Sequence, residues 1–167
     1  MLKVSTCPPI LTEEKKRSFE KDLKNTNPEK ENGYEQIILP QRATKGSAGY
    51  DFFIPFDLEL KSGETAIIPT GIRVQIDEGY FLALYPKSGL GFKFRLRLEN
   101  TVGIIDSDYF YSDNEGHIMV KMTNCGDKTL TLNKGKAFTQ GIFTEFFITY
   151  DDVTDGVRNG GFGSTGK

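Results

Sequence analysis

The chain is poor in several residue types on which many sites depend. It has a single histidine, His117, so a histidine-based metal triad is excluded within one chain. Its two cysteines, Cys7 and Cys125, lie far apart and form no C-x-x-C pair. That spacing indicates neither a disulfide framework nor a zinc site, and both read as reduced thiols. No apolar run is long enough to span a membrane, and Pro8 and Pro9 interrupt the amino-terminal stretch where a signal peptide would need one. A soluble, cytoplasmic protein with no membrane partner is the expectation. The net charge is only -2, with acidic and basic residues intermixed, whereas direct nucleic-acid binding needs a concentrated basic face. Chemistry in this chain is therefore left to carboxylates, hydroxyls and any bound metal.

What is present is a β-rich pattern between two polar ends. At 167 residues the chain is the length of one domain with an ordinary core. Residues 1–34 form a charged extension in which Thr12 to Lys24 carries Phe19 and Leu23 at helical spacing and ends before Pro28. It reads as a short helix or a disordered arm. From residue 35 to 150 short β-favouring runs alternate with Gly, Pro, Asn and Asp: Ile37 to Leu39, Thr65 to Ile68, Ile72 to Ile76, Tyr80 to Tyr85, Ile118 to Met122, Thr129 to Leu132 and Ala137 to Thr149. An antiparallel sandwich or barrel follows from that frequency of strands and turns. Arg95 and Arg97 alternate with Phe94, Leu96 and Leu98, as in a strand with one basic face. Residues 151–167 return to a polar, glycine-rich composition.

Three segments carry candidate chemistry. In the tail RNGGFGSTGK, Arg158 offers a planar cation for phosphate and Ser164 and Thr165 offer hydroxyls. Its glycines, Gly163 among them, let backbone amides approach an anion, and Phe162 can stack on a base. In NTVGIIDSDY, the apolar run Val102 to Ile105 delivers Asp106, which before Ser107-Asp108 reads either as a turn-forming residue or as a carboxylate that can hold and deprotonate a water, and then Tyr109. Asn100, with backbone groups of a tight hairpin from Thr101 to Gly103, offers donors and acceptors to a pyrimidine edge. In PKSGLG, Lys87, Ser88 and Gly89 bring together a cation, a hydroxyl and a small residue that can surround a phosphate.

With AGYDFF at Ala48 to Phe53 and GKAFTQGIF at Gly135 to Phe143, these segments stand in one order, and together they resemble the trimeric dUTPase family over about Glu35 to Lys167. The resemblance implies an all-β, jelly-roll-like domain over residues 35–150, with residues 151–167 as a flexible arm that closes the active site. It implies a homotrimer whose sites are shared between subunits, and hydrolysis of dUTP to dUMP and pyrophosphate. Such an enzyme limits uracil incorporation into DNA and supplies dUMP for thymidylate synthesis. Asp106 becomes the base that activates water for in-line attack on the α-phosphorus. Asn100, Gly103, Tyr109 and Phe162 become the uracil and deoxyribose contacts, and Lys87, Ser88, Gly89, Gln140, Arg158, Gly163, Ser164 and Thr165 the phosphate contacts. The implied cofactor is Mg²⁺, with Asp51 reaching it through water. A dCTP deaminase of related fold and a nucleotide-gated regulatory protein are the rival readings, and the intact Asp106 and Tyr109 favour dUTP cleavage.

The chain departs from the family at four places. Lys87 stands where the family usually has Arg, which keeps the charge and loses the bidentate fork. Ala137 replaces a frequent Arg, six residues from Phe110 to Glu115 intervene before Gly116, and the tail has one residue fewer between Arg158 and Gly160.

Overall fold

The structure, a computed structural model, describes residues 5–7, 37–158, 160 and 161. The helical expectation for Thr12 to Lys24, and Phe162, Gly163, Ser164 and Thr165 of the tail, lie outside the described residues. In chain order the strands are β1 (Ser5–Cys7), β2 (Gln41–Arg42), β3 (Tyr50–Phe53), β4 (Leu58–Leu60), β5 (Thr65–Pro69), β6 (Arg73–Gln75) and β7 (Tyr80–Pro86). They continue with β8 (Leu96–Leu98), β9 (Gly103–Ile105), β10 (Met119–Asn124), β11 (Leu130–Leu132) and β12 (Ala137–Glu145). A seven-residue helix, α1 (Ser88–Phe94), and a 3₁₀ turn at Ser107–Tyr111 complete the described elements.

Every described strand pairing is antiparallel. One sheet runs β2-β3-β12-β7-β9 and a second runs β5-β10-β8, while β4 with β11 and β1 with β6 form two-stranded ribbons. Residue alternation sets the layers: Val120, Met122 and Asn124 point inward from β10, and Leu96 and Leu98 from β8. These meet Phe52, Leu82, Leu84 and Phe138 of the five-stranded sheet in one buried cluster, closed by Leu60, Leu130 and Leu132 from the β4/β11 ribbon. The result is the expected all-β, jelly-roll-like sandwich. Asn124, the polar member of this interior, donates to the carbonyls of Leu60 and Lys128 at 2.9 and 2.8 Å and accepts from the Gly126 amide at 3.1 Å. Those bonds offset the cost of burying its amide.

A bulge in β12 breaks strict alternation, because the pairing with β3 shifts register between Ala137 and Thr139. Phe138 and Thr139, adjacent in sequence, are consequently both fully buried. Beyond the bulge Gln140 comes level with Asp51 on one side and Tyr85 on the other.

Several elements differ from what the sequence predicts. Ile37 to Leu39 is irregular rather than a strand, with Ile38 and Leu39 exposed. The strand expected to run from Ala137 to Thr149 ends at Glu145, and Phe146 to Thr149 continue as irregular chain. Pro86-Lys87-Ser88-Gly89 leads into α1 instead of a simple turn, with the Leu90 and Gly91 amides donating to the Lys87 carbonyl at 2.9 and 3.1 Å. Two glycines lower the helix propensity of this segment, which hid it from a periodicity argument. Arg95 is not in a strand; it ends α1 in a left-handed conformation, and only Arg97 faces solvent from β8. Ser5–Cys7 of the amino-terminal extension pairs with Arg73–Gln75.

Residues 98–103 are not a hairpin within one sheet. β8 pairs with β10 and β9 with β7, so the tight turn between them carries the chain from an edge of one sheet to an edge of the other. The Thr101 amide closes the turn on the Leu98 carbonyl at 3.1 Å, with Thr101 at φ 64°. A β-branched residue is strained in that left-handed region. Thr101→Asn, which tolerates it better, is expected to raise stability by about 0.5 kcal/mol. Urea denaturation checks this, and a lowered midpoint would contradict the assigned turn.

Candidate active site

Asp106 follows β9 directly and opens the 3₁₀ turn, so the apolar strand Gly103–Ile105 delivers its carboxylate to the rim of a cavity. This cavity, about 520 Å³, lies where the edges of the two sheets meet. That volume is in the usual range for a small-molecule site. Asn100, Val102, Gly103, Asp106 and Tyr109 line it, with Leu84 and Leu98 beneath and Glu99, Met119 and Lys121 on the wall. Neither Glu99 nor Lys121 was evident from motif reading, because each is an ordinary solvent-facing position in its local pattern.

The tail returns to this cavity. Arg158 donates from Nη2 to Asp106 Oδ2 and from Nε to Asp108 Oδ1, the latter at 2.7 Å. The guanidinium is the more buried partner, with 19 % of its side chain exposed against 45 % and 55 % for the two carboxylates. Gly161 lies flat on the Tyr109 ring, where an added Cβ would stand 2.6 Å from Cε2. Only a residue without a side chain permits that approach. Tyr109 itself is 6 % exposed, and its hydroxyl donates to the His117 carbonyl at 2.8 Å. Asp108 as a second partner of Arg158 was not anticipated, since an Asp two residues beyond a motif aspartate has no signal of its own.

A second group forms beside the first. Lys87, at the start of α1, places Nζ 2.6 Å from both carboxylate oxygens of Asp51 on β3. Gln140 on β12 donates from Nε2 to the Pro86 carbonyl at 3.3 Å, and its Oε1 packs so closely on Gly49 that a Cβ there would stand 2.7 Å away. Ser88 and Gly89 are exposed at the same corner. None of Asp51, Lys87, Ser88, Gly89 or Gln140 lines the cavity that holds Asp106. The described residues thus gather the predicted base and sugar contacts with Arg158 in one place and the other predicted phosphate and metal residues in another.

Among the described residues no three His, Cys, Asp or Glu side chains group as a metal cage. Asp51 is a single carboxylate, 13 % exposed and paired with a lysine. One carboxylate of this kind fits a magnesium ion that is bound mainly by phosphate oxygens and keeps much of its water, as that ion prefers. No helix among the described residues is long and apolar enough to cross a membrane.

Comparison with known proteins places the chain in a family. The dUTPase family profile matches residues 35–166. A deoxyuridine 5'-triphosphate nucleotidohydrolase of Lactococcus lactis is 39% identical over 133 residues, covering 78% of this chain and 89% of the relative. The protein of that name from Paraburkholderia phytofirmans is 43% identical over 137 residues, covering 77% and 89%. Among solved structures, the dUTPase from Streptococcus mutans superposes with a TM-score of 0.62 at 34% identity, covering 74% of this chain and 95% of the other. The dUTPase of phage phi11 of S. aureus, described with a structural Mg(II) ion, shares the fold at 23% identity and a TM-score of 0.59, covering 71% and 90%. With a match that runs through every motif from Ala48 to the tail, and relatives at about two-fifths identity, the chain belongs to the dUTPase family.

Proposed function

We propose that this chain hydrolyses dUTP to dUMP and pyrophosphate, limiting uracil in DNA and supplying dUMP for thymidylate synthesis. The observation that carries the reading is the Asp106 carboxylate at the rim of a cavity lined by Asn100, Gly103 and Tyr109, with the Arg158 guanidinium on it. Uracil enters between the two sheet edges. Its O4 and N3-H meet Asn100 and the backbone of the 98–103 turn, and cytosine would leave those groups wrongly paired. The Tyr109 ring lies against the deoxyribose, where a 2′-hydroxyl has no room. Asp106 takes a proton from a water as its oxygen attacks the α-phosphorus in line, and the α–β bridging oxygen departs with pyrophosphate. Arg158 moves from the two aspartates to the phosphates, where Gly163, Ser164 and Thr165 join it while Phe162 covers the base. Lys87, Ser88, Gly89 and Gln140 hold the rest of the triphosphate, with Ser88 on the bridging oxygen. Asp51 would hold Mg²⁺ through water beside the phosphates, and the ion would supply charge neutralisation there.

We further propose a cytoplasmic homotrimer with shared sites. The separation of the Lys87 and Asp106 groups supports it, because one substrate must engage both. So does the run after β12, where Phe147, Ile148, Tyr150, Val153 and Val157 are each at least 71% exposed in the single chain. Apolar exposure on that scale is what another copy covers. Residues 151–167 act as the closing arm.

Pyrophosphate release from dUTP, dCTP, dTTP and UTP with Mg²⁺, with the nucleotide product identified, tests the reaction. Release from dUTP with dUMP formed is expected. Deamination of dCTP, or tight dUTP binding without turnover, would replace this reading with one of its rivals.

A further inference from the structure

The loop Phe110 to Glu115, longer here than the family pattern, is built onto Tyr109. Asn114 donates from Nδ2 to the Tyr109 hydroxyl at 2.7 Å and to the His117 carbonyl at 3.3 Å. The Ser112 hydroxyl lies 2.7 Å from both the Tyr109 carbonyl and Asn114 Oδ1, and accepts from the Gly116 amide at 3.3 Å. Only one orientation of the Asn114 amide satisfies this set, since a flipped amide would face the His117 carbonyl with an oxygen. The Tyr109 hydroxyl therefore both donates and accepts, and the phenol is held at its far end as well as through its backbone.

The loop is itself anchored. Arg73 lies 3.6 Å over the centroid of the Phe110 ring and donates from Nη2 to the Phe110 carbonyl at 2.6 Å. Ser112 is buried, with 4 % exposure. An anchored loop with a buried hydroxyl and an oriented amide is the kind of supporting shell that fixes a side chain facing a ligand.

We propose that Asn114, oriented by Ser112, is a positioning residue that holds the Tyr109 ring against the cavity and thereby sets the preference for deoxyribose over ribose. This rests on the nucleotide site described above. A ring excludes one extra hydroxyl only if it cannot tilt away. Removing the donor at its far end leaves the Tyr109 hydroxyl one bond short and frees the ring to yield.

The test uses Asn114→Asp, which keeps the volume and removes the donor, with Asn114→Ala and Ser112→Ala beside it and thermal melting as the check on folding. Two quantities are measured on the full chain: the dUTP-over-UTP ratio of kcat/KM, and the ratio of affinities for the α,β-imido analogues of dUTP and UTP. Both nucleotides carry the same charge, so the new carboxylate cancels in each ratio. Both ratios are expected to fall about tenfold in Asn114→Asp. In a Tyr109→Phe background the same change is expected to leave both ratios where Tyr109→Phe alone puts them, because the hydroxyl through which Asn114 acts on the ring is already gone. Ratios left unchanged by Asn114→Asp, or an additive effect on Tyr109→Phe, would overturn the proposal while dUTP turnover by the unmodified chain leaves the function intact. Selective binding without turnover that Asn114→Asp relaxes would support the proposal and defeat the hydrolase reading. Failure of the unmodified chain to bind either analogue would overturn both.

Discussion

Asp106→Asn is expected to lower dUTP turnover by about a thousandfold, within the range lost when a general base is removed and equivalent to about 4 kcal/mol of barrier. The side chain keeps its shape, so the position at the end of β9 and the cavity beside it are retained. Nucleotide affinity should hold or improve. Asp106 shares the Arg158 guanidinium with Asp108, and a neutral amide gives up the charged half of that contact. Arg158 is then freer to leave for the phosphates. A binding titration with a non-hydrolysable dUTP analogue, beside single-turnover kinetics, separates the two effects. Turnover near that of the unmodified chain would remove Asp106 as the base. A large loss of binding with turnover retained at saturation would reassign it to substrate recognition.

The second large effect is a gain of activity on mixing two inactive chains. Lys87→Ala removes the lysine that faces Asp51, and Asp106→Asn removes the base; each alone should fall by about a hundredfold or more. Because the Lys87 group does not line the cavity that contains Asp106, a site completed by a second copy would take Lys87 from one chain and Asp106 from another. In co-expressed, randomly assorted trimers about a quarter of the sites would then hold both intact residues. Activity should rise to about that fraction of the unmodified protein, far above either parent. A mixture no more active than the mean of its parents would show that each chain uses its own Lys87 and Asp106. Sedimentation analysis of the same mixture establishes that the chains have exchanged.

The candidate residues with chemistry of their own carry a signal in the sequence. Asp106 after an apolar run and Arg158 before glycines and hydroxyls are each ambiguous alone, and the ordered set of motifs is what singled them out as candidates. Asn114 and Ser112 carry no such signal, because a polar loop composition is the same whether its side chains face water or a buried phenol. Phe138 and Thr139 were opaque for a related reason: alternation assigns neighbouring residues to opposite faces, and the bulge at which both are buried, opposite Phe52 and Phe53, depends on the pairing with β3.

Local pattern in this chain determined that it would be β-rich and where most strands would run, and it singled out the carboxylate, cation and amide that are proposed to meet a nucleotide. Those properties depend on residue type and on neighbours a few positions away. The partner of each strand was decided only by tertiary structure. Period-two alternation says which face of Leu96–Leu98 and Gly103–Ile105 is buried, but nothing about which strand each one pairs with. Their separation into two sheets creates the cavity. The same packing divides Lys87 and Asp51 from Asp106 and Tyr109, because distance between side chains is set by how the layers close over a common core.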